Sequence, residues 1–239
     1  MNYIDTVKIV FFLYMHHTCT CTLLDPTQFS NAWPDGTYSL PKPRNGCPAH
    51  GQQFRQWYEG WRYQDTEDFR NRNRFSRGHH LEGSFGRNIK TWWCSKNVTS
   101  GDYGITWPKG SYCIGKKNGQ CPNGFSEGYI KWDDEDINND NRRGGILPDG
   151  VYNRNTIIYY CCRNDALPTN PITLPTDRPF YLMQKHRDGC QHVRNMQVQA
   201  EWVYWDDEDF NNSDSESGSY PYRGGATNRN QRLNYCYYY

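Results

Sequence analysis

Short stretches of alternating apolar and polar residues recur along this chain of 239 residues, as in Tyr129-Ile-Lys-Trp132 and Glu201-Trp-Val-Tyr-Trp205. Such two-residue alternation predicts strands with one buried face. Pro-x-Gly and Asp-Gly pairs punctuate the stretches and supply tight turns. Ala and Leu together number only 15, which argues against a helical bundle. The pattern predicts an all-β fold.

The strand pattern repeats three times. Arg87-Asn88-Ile-Lys-Thr-Trp-Trp-Cys94, Arg154-Asn155-Thr-Ile-Ile-Tyr-Tyr-Cys161 and Arg229-Asn230-Gln-Arg-Leu-Asn-Tyr-Cys236 close the three units. Upstream of each lies an aromatic followed by Asp-x-Glu-Asp, beginning at Asp65, Asp133 and Asp206, which precede the closing Cys by 29, 28 and 30 residues. An Arg-Gly pair intervenes each time, at Arg77, Arg143 and Arg223, and a lone Cys stands upstream at Cys47, Cys121 and Cys190. The openings are Trp33-Pro-Asp-Gly-Thr-Tyr38, Trp107-Pro-Lys-Gly-Ser-Tyr112 and a degenerate Leu174-Pro-Thr-Asp-Arg-Pro-Phe-Tyr181. The repeats therefore span about 33–95, 107–163 and 172–239. They predict a pseudo-threefold, disulfide-stapled domain, with a β-trefoil-like or β-prism-like closed arrangement preferred because closure removes sheet edges.

Composition adds a compartment. Leu, Ile, Val and Phe make up only 16 % of the chain, yet Phe, Trp and Tyr number 38 and there are ten cysteines. Aromatic burial and disulfides replace the missing aliphatic core, as in secreted domains. Lys8 and the apolar run Ile9–Met15 mark residues 1–22 as a signal peptide, too short in its apolar part to span a bilayer. Its removal takes Cys19 and Cys21 and leaves eight cysteines for bridges. A net charge of +1 gives no drive toward nucleic acid or acidic lipid, and no later stretch predicts membrane insertion. The expected location is extracellular.

The bridges can be assigned from the repeats. Cys161 and Cys162 are adjacent in a strand, so they face opposite ways and take different partners. Cys113 and Cys162 have no counterparts in the first repeat, where Ser39 and Ser95 stand, which pairs them with each other. The other six pair within repeats, as Cys47–Cys94, Cys121–Cys161 and Cys190–Cys236, or cyclically between them; the within-repeat scheme is preferred.

The motifs Trp-Pro-x-Gly-x-Tyr, Leu-Pro-Lys-Pro, Gly-Cys-Pro, Gly-Tyr-Ile-Lys-Trp-Asp-Asp-Glu-Asp, Leu-Pro-Asp-Gly-Val-Tyr and Tyr-Cys-Cys-Arg resemble the apextrin C-terminal (ApeC) domain. The resemblance covers residues 33–239. It implies a secreted innate-immune or matrix protein; some relatives bind bacterial peptidoglycan and agglutinate bacteria. Others carry a perforin module, for which this chain has no room. The residue after Cys162-Arg-Asn-Asp165 departs from the pattern, Ala166 standing where Gly is expected.

Two constellations are candidates for chemistry. Asp134, Asp136, Asn138, Asp140 and Asp207, Asp209, Asn211, Ser213 alternate oxygen side chains as calcium loops do, although the EF-hand Gly and Glu are missing and the first repeat carries Arg70 and Arg72 instead. The alternative is an acidic turn whose carboxylates cap backbone amides and pair with the Arg-Gly arginine; repetition of the motif favours it. No other cofactor is expected. Carboxylates are abundant, but none is singled out as a general acid for glycoside hydrolysis, and no zinc or thiol-catalysis pattern occurs, so no enzyme is expected.

Exposed aromatics are the stronger candidates. Trp33, Trp107, Trp61 and Trp202 recur in the repeats and read as core, whereas Trp57, Tyr103, Tyr220 and Tyr222 read as ligand-binding. Asn97 and Asn211 head glycosylation sequons. The leading functional reading is peptidoglycan recognition with agglutination or self-association; the alternative is a structural extracellular-matrix or secretory-granule protein.

Overall fold

A computed structural model describes residues 32–48, 56–67, 71–96, 104–208, 210–227 and 230–239. The expected signal peptide, Tyr103, Asp209 and Asn97 lie outside them. Fourteen strands and no α-helix are present among the described residues, and none of these residues forms a helix long and apolar enough to cross a membrane.

The first repeat gives β1 (Tyr38–Pro41), β2 (Trp57–Gln64), β3 (Arg74–Phe75), β4 (Gly83–Phe85) and β5 (Ile89–Lys96). The second gives β6 (Ser111–Lys116), β7 (Ser126–Trp132), β8 (Arg142–Gly145), β9 (Gly150–Tyr152) and β10 (Thr156–Asn164). The third gives β11 (Phe180–Gln184), β12 (Val198–Tyr204), β13 (Ser215–Gly218) and β14 (Arg232–Tyr238). All join one antiparallel sheet that curls into a half-barrel. The closing strand of each repeat pairs with that repeat's two earlier long strands: β5 with β1 and β2, β10 with β6 and β7, β14 with β11 and β12. The short strands cross between repeats, β8 adding to β2, β13 to β7 and β3 to β12.

Period-two alternation divides the interior into two clusters. In β10, Cys161 faces the first, with Trp33, Tyr38 and Trp107, while Tyr160 and Cys162 face the second, with Trp132 and Trp205. The adjacent cysteines thus diverge, and the bridges are Cys47–Cys94, Cys121–Cys161, Cys190–Cys236 and Cys113–Cys162. Aromatic edges supply much of the packing: Trp33 meets Trp57 at 5.7 Å and Phe180 at 5.0 Å, and Trp132 meets Trp205 at 5.5 Å. Such edge-to-face contacts add about 0.5–1.5 kcal/mol each beyond burial.

The Pro-x-Gly-x-Tyr openings owe their shape to the tyrosine. Tyr38 and Tyr112 donate their hydroxyls to the Pro34 and Pro108 carbonyls four residues back, as Tyr152 does to Pro148 in the later Leu147-Pro-Asp-Gly-Val-Tyr152 stretch. Leu40, Ile114 and Leu182 pair with Cys94, Cys161 and Cys236, so Phe180, not Tyr181, occupies the place of Tyr38 and Tyr112. The degenerate third opening therefore keeps the ring and loses the hydroxyl bond.

Candidate functional site

The sequence-derived aromatic candidates separate in space. Trp57 is buried, its ring edge-on to Trp33 and Tyr38, which removes it from any ligand surface. Trp61 and Trp202, expected in the core, are half-exposed on outer sheet faces. Their rings are covered by cations: Lys90 Nζ lies 4.2 Å from the Trp61 ring centre and the Arg232 guanidinium 4.4 Å from that of Trp202. Tyr220 and Tyr222 come together in one cleft.

That cleft, of 410 Å³, lies between the end of β11 and the segment after β13, and Lys185, His186, Pro221 and Arg223 line it with the two tyrosines. Gly218 turns the chain into it at φ 71°, where a Cβ would fall 2.4 Å from the Glu127 carbonyl; only glycine fits this approach. Two backbone bonds then span the segment, Ser219 N to Glu127 O at 2.8 Å and Tyr222 N to Gln184 O at 2.7 Å. Asn234 Nδ2 holds the Tyr222 carbonyl at 3.1 Å. Lys185 Nζ donates to the Tyr220 carbonyl at 3.0 Å and sits 5.7 Å from that ring's centre. Burial lowers the Lys185 pKa from its ordinary value. Arg223 pairs with Glu216, and its buried Nε has no hydrogen-bond partner among the described residues. Half-exposed tyrosine rings beside an ammonium and a guanidinium can stack on sugar rings and bind carboxylates.

Lys185, His186 and Arg223 escaped the sequence reading because β11 had no recognisable end before the fold was known. The Arg-Gly pairs misled in the same region. Arg143 and Gly144 lie within β8, whereas Arg223 follows β13, so these pairs are not equivalent in space.

The acidic motifs build a seam between the repeats. Glu135 N donates to Asp65 O at 2.9 Å and Glu208 N to Asp133 O at 3.0 Å, linking successive turns. The first carboxylate of each turn caps an amide of the next repeat: Asp65 takes Asp140 N, Asp133 takes Ser213 N and Asp206 takes Arg72 N. Asp134 and Asp207 are fully buried. Asp134 accepts from Gln64 Nε2, Asn141 Nδ2 and Thr156 Oγ1 and pairs with Arg62 at 3.3 Å. Burial raises Asp134 and lowers Arg62, each partly offset by the other.

The alternating oxygens diverge. Asp136 pairs with Arg154 at 2.8 Å, Asp140 pairs with Arg142, and Asn138 and Asn211 adopt positive φ at 52° and 56° in exposed turns. Among the described residues no three His, Cys, Asp or Glu side chains are arranged to hold a metal. The arginine partners of these acids are Arg62, Arg142 and Arg154 rather than the Arg-Gly arginines expected from sequence.

A family model described as the C-terminal domain of apextrin, ApeC, matches residues 33–238. The chain belongs to the ApeC family. No curated protein and no solved structure matches it. The ApeC match takes in all three repeats, the seam and the Tyr220–Tyr222 cleft alike. ApeC is a non-enzymatic domain family.

Proposed function

We propose that this ApeC protein is secreted and recognises bacterial cell-wall peptidoglycan without catalysis. The family supports an apextrin-like secreted protein, and four disulfides in so aliphatic-poor a domain suit an oxidising compartment. The Tyr220, Tyr222, Lys185 and Arg223 cleft carries the binding reading. Peptidoglycan alternates sugar rings with carboxylate-bearing lactyl and peptide groups; the tyrosine rings suit the former and the cations the latter. Agglutination follows if one chain, or a self-associated pair, engages two strands. N-glycans at Asn97 and Asn211 belong to the same secreted reading. The cyclic placement of β8, β13 and β3 supports a closed, pseudo-threefold, prism-type arrangement of the repeats.

Pull-down on insoluble peptidoglycan, with soluble muropeptide release assayed in the same tube, tests the reading. Binding without release is expected. Release would instead indicate a hydrolase, and neither binding nor release would return the protein to a structural matrix role.

A further inference from the structure

The second repeat contains a cleft built like the one in the third. It measures 740 Å³ and is lined by Lys117, Asn118, Arg143, the 144–150 segment and Tyr152. Gly145 opens it at φ 69°, its Cβ position 2.1 Å from the Glu59 carbonyl, as Gly218 at φ 71° opens the other against Glu127. Gly145-Ile-Leu-Pro-Asp149 and Gly218-Ser-Tyr-Pro-Tyr222 then cross with the same two anchors. Ile146 N donates to Glu59 O at 3.0 Å and Asp149 N to Lys116 O at 2.8 Å, matching Ser219 N to Glu127 O and Tyr222 N to Gln184 O. In each repeat the proline stands one residue before the second anchor, and a lysine follows the first strand at Lys117 and Lys185.

The described residues of the first repeat take a different course. Glu82 N reaches Lys42 O at 2.9 Å, but the longer preceding loop folds back: Arg44 N bonds His80 O at 2.8 Å, Arg44 Nε bonds Leu81 O at 3.3 Å, and Pro43 pairs with Leu81. Chain fills the space that the other repeats leave open.

The lining of the second cleft fits an anion. Asp149 turns its carboxylate to the amides of Asn118 and Gly119, at 3.0 and 2.7 Å, and lies 3.7 Å from Lys117 Nζ. Arg143 is exposed and forms no salt bridge among the described residues; its guanidinium rests 5.9 Å from the Tyr152 ring centre. A guanidinium with its donors open, beside a lysine, is suited to bidentate capture of a carboxylate.

We propose that the cleft of Lys117 and Arg143 is a second site for a carboxylate-bearing glycan, making a single chain bivalent. The identity of the glycan rests on the peptidoglycan reading above. Titration calorimetry of the full chain with a soluble muropeptide tests it. Two equivalents are expected for the native chain and one for Lys117→Ala/Arg143→Ala, with unchanged melting. Lys185→Ala should likewise reduce the stoichiometry to one, and each single-cleft variant should still bind cells but fail to agglutinate them. One equivalent for the native chain, unaltered by Lys117→Ala/Arg143→Ala, would overturn the second site and leave the first. No binding at all would overturn the peptidoglycan reading and this site with it.

Discussion

Asp214 stands where Asn141 stands in the preceding repeat, and the exchange sets its carboxyl against that of Asp207 with no amide donor between them. Asn141 Nδ2 gives Asp134 a hydrogen bond of 2.9 Å, and Asn73 Nδ2 gives Thr66 Oγ1 one of 2.7 Å. Asp207 Oδ1 and Asp214 Oδ2 instead lie buried without a donor. A proton held between the two carboxyls satisfies both.

This pair makes stability depend on pH. Burial first, then the neighbouring carboxylates, pushes Asp207 well above the ordinary range, and burial pushes Asp214 up to about 7. Asp133 and Asp134 add negative charge nearby, while Lys131 and Arg62 pair with those two at 3.4 and 3.3 Å. Because the folded pKa values are raised, the folded chain holds protons that the unfolded chain releases. The pair's contribution to stability is therefore fully present below the ordinary carboxylate range and is lost as pH rises toward and through about 7. Tm should fall between pH 5 and 8. Asp214→Asn should flatten that slope and raise stability at pH 8 by about 1–3 kcal/mol, the cost of an unsatisfied buried group. A Tm that rises with pH in the native chain would contradict the shared proton.

Arg62 and Asp134 form a buried ion pair across the first two repeats. Arg62→Met should destabilise by about 3–5 kcal/mol, since it strands a buried charge. Arg62→Met/Asp134→Thr, which copies Thr66 of the first repeat, should recover much of that loss. Denaturant midpoints of the two variants measure both effects.

The four bridges are not equally needed. Cys113–Cys162 and Cys190–Cys236 close loops of similar length, 49 and 46 residues apart, each worth about 4 kcal/mol in chain entropy. Yet the first repeat fills the Cys113–Cys162 position with Ser39 and Ser95, whose hydroxyls bond at 2.7 Å. Cys113→Ser/Cys162→Ser should therefore cost about 1 kcal/mol less, one hydrogen bond, than Cys190→Ser/Cys236→Ser. Equal losses on urea unfolding would count against this equivalence.

Chelation is expected to leave Tm unchanged, because Asp65, Asp133 and Asp136 of the acidic turns are engaged by amides and an arginine. A lower Tm in chelator, restored by calcium and absent in Asp136→Ala, would instead support calcium binding.

Strand class and cysteine pairing were legible in the sequence because period-two alternation and residue identity determine them locally. Cover was not. Trp57 and Trp61 share one face of β2, yet Trp33 and Tyr38 close over the first, which is buried, while the second, beside Lys90 and Trp92, stays half-exposed. Parity assigns a face, whereas the extent of cover depends on segments distant in sequence. Tyr220 and Tyr222 could be picked out as aromatics outside the repeated set. Their cationic neighbours could not, since Lys185 and Arg223 meet only where β11 ends beside the segment after β13.

Sedimentation binding of Tyr220→Ala to insoluble peptidoglycan is the most direct test of recognition through the Tyr220–Lys185 cleft. Binding should weaken about tenfold or more, roughly 1.4 kcal/mol, with Tm preserved. A folded Tyr220→Ala/Lys185→Ala protein that binds peptidoglycan as tightly as the native chain would contradict it.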